Sequence, residues 1–174
     1  MELSSRLKKN GGRANVDAIV KWIGQDPTRF AELIEEMQNG TKTTRQHGAW
    51  PLAYAAIAHP ELLNKHFVQI LKWLSEPNHH DAIYRNILKL FTEIEIPEKY
   101  AATLFDACFT FARAEHRPIA IRAYALMVLM KLVKRWPELG HELHLLATEL
   151  LKLPQPSGVA VTLKRCIELT RKRV

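Results

Sequence analysis

Apolar residues recur at intervals of three and four along most of the chain, and proline or glycine interrupts this pattern at short loops. Such spacing places the apolar residues on one face of a helix, and the alternating Val, Ile and Thr runs typical of strands are missing. The sequence therefore predicts an all-α protein with about nine helices. Their predicted bounds are residues 14–24, 27–38, 43–58, 60–75, 79–94, 97–114, 118–135, 137–152 and 157–172.

The predicted helices repeat in pairs. A similar phrase opens three of the second helices: His59-Pro60-Glu61-Leu62, Ile96-Pro97-Glu98-Lys99 and Trp136-Pro137-Glu138-Leu139. Counted from Pro27, the prolines that open the second helices are 33, 37 and 40 residues apart. A gapless alignment of residues 44–62 with residues 121–139 also superposes Arg45 on Arg122. A two-helix period of this length indicates an α-solenoid, in which neighbouring pairs share one core.

Over residues 14–173 the chain resembles the HEAT-repeat class of the armadillo-like α-solenoids. Pro51 falls inside the first helix of the first full pair, where that family has a proline bend; the other pairs lack it. The tetratricopeptide pattern fits worse, because its fixed period and signature are absent. The resemblance implies a right-handed superhelix of four helix pairs and one closing helix, with the second helices on the concave side. We expect a flexible leader at residues 1–13 and a single domain at 14–174.

The segment 118–135 is apolar on nearly every face, so it is predicted to be the most buried helix. The four tryptophans stand among apolar neighbours and are expected to pack in the core or between repeats.

Composition is that of a folded, water-soluble protein: 174 residues, 47% hydrophobic and 25% charged. The longest apolar run, residues 123–130, is too short to cross a bilayer, and the first residues show no secretory signal. Cys108 and Cys166 lie inside helical patterns beside apolar residues. We therefore expect buried free thiols, no membrane span and a cytoplasmic location.

No pattern of catalytic or cofactor-binding residues emerges. His141 and His144 are three apart on one helix, but no Cys pair or His-Glu-x-x-His motif supplies further metal ligands. A nucleophile elbow, a phosphate-binding glycine loop and a dinucleotide fingerprint are also missing. The sequence therefore predicts a protein without enzymatic activity, metal or cofactor.

Charge is distributed unevenly between the two kinds of helix. The net charge is +7, yet the second helices, residues 27–38, 60–76, 97–113 and 137–152, carry −4 together. A neutral to acidic concave wall disfavours nucleic acid, because it repels phosphates. An alternative function stays open, that of a nucleic-acid-binding protein related to the HEAT-like DNA alkylation-repair glycosylases. Its candidate polyanion-binding residues are Lys131, Lys134, Arg135, Lys164, Arg165, Arg171, Lys172 and Arg173.

Polar residues on the second helices form stripes at helical spacing. Such stripes are either ordinary solvated faces or the lining of a shared protein-binding wall. The second interpretation predicts a non-enzymatic scaffold whose partner is a neutral to basic protein or peptide. The candidate partner-binding residues are Glu32, Glu36, Lys65, Gln69, Lys72, Asp106, Arg113, Glu142 and Glu149.

Overall fold

A computed structural model describes residues 2–9 and 11–171. Of the described residues, 80% are helical, in ten α-helices and three short 3₁₀ turns without a strand, which confirms the predicted all-α class. The helices are α1 Leu3–Lys9, α2 Arg13–Ile23, α3 Pro27–Asn39, α4 Lys42–Ala58, α5 Phe67–Ser75, α6 Asp81–Glu93, α7 Ala101–Arg113, α8 Ile119–Arg135, α9 Gly140–Leu151 and α10 Ser157–Thr170.

Backbone proximity groups these helices into two compact units. The first unit, Met1–Ile94, contains α1 to α6, and the second unit, Glu95–Val174, contains α7 to α10. In the first unit α4 packs against α6 and α3. In the second unit α8 packs against α7 and α10, and α9 packs mainly on α10.

The predicted flexible leader contains a helix instead. In α1 the side chains of Leu3 and Leu7 are buried, and the helix packs against α4. His47 of α4 forms a hydrogen bond of 2.7 Å between its Nδ1 atom and the backbone oxygen of Leu7. The spacing of four places both leucines on one helix face, and burial of that face stabilises a helix too short to form alone.

The Pro-Glu phrases form short 3₁₀ turns, not the first turns of the second α-helices. These turns span Pro60–Leu63, Glu98–Tyr100 and Pro137–Leu139, and the α-helices begin after them. Because proline fixes its own φ angle and has no N–H to donate, it suits the start of such a turn. Two of the turns follow directly on α4 and α8, so the aligned sequence segments share one local structure.

Burial is shared among the first helices rather than concentrated in α8. Eight of the 17 residues of α8 are buried, but Met127 is 40% exposed. The helix α6 buries seven of its 13 residues, a larger fraction. The expectation that residues 118–135 form the most buried helix is therefore wrong.

Only Trp73 lies fully in the core, where it is 1% exposed. The other three tryptophans are half-buried, each with an arginine over its ring. The distances from guanidinium carbon to ring centroid are 5.3 Å for Arg29 and Trp22, 6.0 Å for Arg13 and Trp50, and 4.8 Å for Arg135 and Trp136.

Candidate functional site

In the first unit, a glutamine bridges the second helices α3 and α5. Gln69 Nε2 and Trp73 Nε1 both donate to Gln38 Oε1, each over 2.9 Å. The candidate residue Gln69 is thus part of an internal hydrogen-bond network. The bridge joins α3 to α5 at this point, which leaves less of the polar stripe for a partner.

The polar residues at the C-terminal end of α5 also interact with one another within the protein. Lys72 Nζ lies 3.8 Å from a carboxylate oxygen of Glu76, whose other oxygen lies 2.9 Å from His79 Nε2. The remaining candidates of this unit are separate: Glu32 and Lys65 are exposed, and Glu36 is half-buried. Lys65 lines a cavity of about 580 Å³ whose lining includes neither Glu32 nor Glu36.

In the second unit, a groove of about 480 Å³ lies between the second helices α7 and α9. Three of the candidate residues, Arg113, Glu142 and Glu149, line it together. The other lining residues are Phe109, Glu115, Leu145, Leu146, Leu150 and Leu153. Asp106 is exposed on α7 but does not belong to this lining.

The α9 side of the groove has a regular apolar surface. Leu146 and Leu150 are four residues apart on one face of α9, and Leu145 lies beside them. Leu153 follows the end of the helix and completes the apolar lining. Leu146 and Leu150 are buried, whereas Leu145 is 50% and Leu153 is 53% exposed. Five of the six large apolar side chains exposed among the described residues belong to the second unit, and two of the five line this groove.

The charged groups of the groove are mainly carboxylates. Glu115, Glu142 and Glu149 contribute three negative charges and Arg113 one positive charge. Arg113 lies over the ring of Phe109, with 5.8 Å from its Cζ atom to the centroid. No residue that the structure describes forms an ion pair with Glu142. The groove therefore combines apolar surface with a net negative charge.

Glu149 has a partner on its own helix. Lys152 Nζ lies 2.5 Å from Glu149 Oε1, and both side chains are about two-thirds exposed, at 64% and 66%. An exposed ion pair three residues apart is worth only a few tenths of a kcal/mol, roughly 0.3–0.5. A cation from another molecule can therefore replace Lys152 at little cost.

Sequence reasoning missed Glu115 and the apolar half of the groove. The sequence carried a usable signal, since Leu145 lies beside the buried Leu146 in α9 and Leu153 follows the helix, which adds two large apolar residues to the buried set. Glu115 follows the end of α7 and belongs to no stripe.

The alternative polyanion-binding residues are divided between two helices. Lys131, Lys134 and Arg135 line a cavity of about 270 Å³ with Trp136 at the end of α8. Arg135 Nη1 donates to the backbone oxygen of Ile96 over 3.0 Å. Lys134 and Arg135 lie in the last turn of α8, where cations interact favourably with the negative end of the helix dipole.

The other basic candidates are on or beyond α10. Lys164, Arg165 and Arg171 are exposed, and Lys172 and Arg173 lie outside the described residues. The cavity lined by the basic cluster of α8 includes neither Lys164 nor Arg165.

Both cysteines are free and buried, as the sequence predicts. Burial raises the pKa of the Cys166 thiol to about 12 and raises the pKa of Cys108 further still. Thiols of this kind are poor nucleophiles. In residues 2–9 and 11–171, no group of three His, Cys, Asp or Glu side chains is placed to hold a metal ion, and no helix is long and apolar enough to span a membrane.

Comparison with known proteins gives one family match. The family described as the HEAT repeat domain matches residues 3–169, a stretch that begins within the first turn of α1. No curated protein matches the chain significantly. No solved structure does so either.

Proposed function

We propose that this chain, which belongs to the HEAT repeat domain family, is a non-enzymatic scaffold that binds a neutral to basic protein through its second helices. The observation that carries this proposal is the groove between α7 and α9, where Arg113, Glu142 and Glu149 come together beside exposed leucines. Apolar surface that is exposed in a groove and rimmed by charged residues is typical of protein-binding sites.

The charge of the groove favours a partner that carries positive charge. Lys152 pairs with Glu149, and Arg122 interacts electrostatically with Glu115. Glu142 has no ion-pair partner among the described residues, so it favours basic over acidic segments, which affects partner choice and association rate more than affinity. Affinity would come from the apolar part, because burial of Leu145 and Leu153 removes exposed hydrocarbon from water.

The absence of enzymatic activity and the cytoplasmic location belong to this proposal as well. HEAT repeat proteins are typically non-enzymatic, and the buried thiols of high pKa lack the accessible setting that a nucleophile needs. Free cysteines are usual in a reducing compartment. The right-handed superhelix also stays a prediction.

The alternative, a nucleic-acid-binding relative of DNA alkylation-repair glycosylases, gains no support from the comparisons. Its basic residues are divided between α8 and α10, and those of α8 stand at a helix end that they stabilise.

Affinity capture with matched baits tests the scaffold proposal. The wild-type protein, E142K/E149K and the control K164E/R165E are used to capture partners from native lysate, and each partner found is purified and titrated directly. A specific partner should bind the wild type and the control alike and lose affinity for E142K/E149K. Loss of binding with the control variant alone, together with a steep salt dependence in a gel shift with nucleic acid, would contradict the proposal.

A further inference from the structure

We propose that the α7–α9 groove recognises an amphipathic helix of the partner, one that presents two basic residues seven positions apart with apolar residues midway between them. The inference rests on the proposed function and specifies the partner's chemistry. It depends on how charge and apolar surface alternate along α9.

The carboxylates of α9 are two helical turns apart. Glu142 and Glu149 are separated by seven residues, which corresponds to about 10.5 Å along the axis at 1.5 Å per residue. Leu145 and Leu146 lie between them in α9, Leu150 follows Glu149, and Leu153 lies just after the end of the helix. The groove wall therefore alternates acidic, apolar, acidic and apolar from Glu142 to Leu153.

A partner helix that lies along α9 matches this alternation with its own period. Two basic residues seven positions apart also stand two turns apart on one face, so both can face the carboxylates at once. An extended partner covers the same distance in about three residues, at 3.3 Å each. Residues three apart in a strand point to opposite sides, so only one of two basic residues would reach the groove. The spacing of Glu142 and Glu149 thus favours a helix.

The size of the groove fits inserted side chains. A volume of about 480 Å³ is within the range of about 300–1,000 Å³ typical of pockets that hold small molecules. A whole helix is about 10 Å across and does not fit inside, but the apolar side chains of one face can enter between α7 and α9. They would cover the exposed halves of Leu145 and Leu153.

Arg113 restricts where the partner's basic residues can stand. Its guanidinium lies over Phe109 on the α7 wall, so a basic residue directly opposite would meet a like charge. Basic residues are favoured only where Glu142, Glu149 or Glu115 face them. The groove therefore selects the position of positive charge as well as its sign.

Three synthetic helical peptides of about 16 residues test this inference by fluorescence anisotropy with the full chain. The matched peptide has two lysines seven positions apart and two leucines midway. The shifted peptide has the same composition with the lysines on the face opposite the leucines. The acidic peptide replaces both lysines of the matched peptide with glutamate. We expect the affinity of the matched peptide to be higher than that of either other peptide by about ten-fold or more.

Protein variants locate the site. E142K/E149K should weaken binding of the matched peptide about ten-fold or more, because both charge pairs become repulsive. The control E98K/E168K changes the net charge by the same amount at exposed positions of the second unit outside the groove and should leave binding unchanged. Leu145→Ser removes exposed apolar surface and should also weaken binding while circular dichroism shows an intact fold.

Equal binding of the matched and shifted peptides would overturn the helical inference, and so would unchanged affinity for E142K/E149K. If a captured natural partner still depends on Glu142 and Glu149 while the two peptides bind alike, the inference fails and the scaffold proposal stands. If no natural partner is captured and no peptide binds, both fail.

Discussion

Arg45 and Arg122 hold the same position in two different helix pairs and make equivalent hydrogen bonds. Each is the fourth residue of its helix, α4 or α8. Arg45 Nε donates to the backbone oxygen of Met37 over 2.9 Å, and Arg122 Nε donates to that of Ala112 over 3.1 Å. Both acceptors lie near the end of the preceding second helix, where carbonyl groups lack partners within the helix. Each arginine therefore caps the helix before it.

The same arginines also reach forward to the next pair. Arg45 Nη2 lies 3.0 Å from His79 Nδ1, and Arg122 Nη2 donates to Gln155 Oε1 over 2.8 Å. His79 and Gln155 each stand two residues before the next first helix, α6 or α10. Tyr84, the fourth residue of α6, repeats the backward contact, since its hydroxyl donates to the backbone oxygen of Glu76 over 2.7 Å. The side chain at the fourth position of these first helices therefore connects consecutive helix pairs by hydrogen bonds.

Arg122→Ala should lower the free energy of unfolding by about 1–3 kcal/mol, since it leaves buried acceptors without a donor. Arg122 is 3% exposed, and burial lowers the pKa of its guanidinium, so it depends on these two acceptors. Urea unfolding measures the change. Arg165→Ala, at an exposed position, should stay within about 0.5 kcal/mol. Equal losses of unfolding free energy in the two variants would show that the hydrogen bonds of Arg122 contribute nothing to stability.

The sequence predicted the repeat but not the contacts that join it. Aligning Arg45 with Arg122 was possible because the two segments share a local pattern, whereas His79 and Gln155 lie 34 and 33 residues away from them. The helix α1 was missed for a similar reason. It is only seven residues long, and it is stabilised by packing against α4. Such packing cannot be predicted from the periodicity of the local sequence.

The candidate site was predicted in part. Charge and helical spacing identified Arg113, Glu142 and Glu149, which the structure brings into one groove. Equivalent reasoning selected Gln69 in the first unit, where its amide donates to Gln38 of the neighbouring second helix. Whether two neighbouring helices meet or leave a groove depends on side chains from both, and the period of one helix cannot reveal it.

Leu129→Ala should destabilise the protein by about 2–5 kcal/mol. Leu129 is 0% exposed in α8, so its truncation leaves a cavity in addition to the lost burial. Met127→Ala on the exposed side of the same helix is the matched control and should change stability by no more than about 0.5 kcal/mol. Thermal unfolding of the two variants measures the difference. If Leu129→Ala behaved like the control, the core position of α8 would be refuted.

Both cysteines should be inert to a thiol-specific reagent in the native protein at about pH 8, where an ordinary thiol reacts readily. Burial raises the pKa of Cys166 to about 12 and that of Cys108 further, so almost no thiolate forms in the folded state. In denaturant both thiols should react. Rapid labelling of the folded protein at either site would contradict the burial of that thiol.

The central claim, that a basic amphipathic segment binds between α7 and α9, is tested most directly by mapping amide chemical shifts. The ¹⁵N-labelled chain is titrated with the matched helical peptide, with the acidic peptide as control. The shifts should concentrate at residues 109–115 and 142–153, which include the groove lining, and the acidic peptide should produce none. Shifts confined to α3 and α5, or to the basic residues Lys164 and Arg165 of α10, would place binding elsewhere and contradict the account.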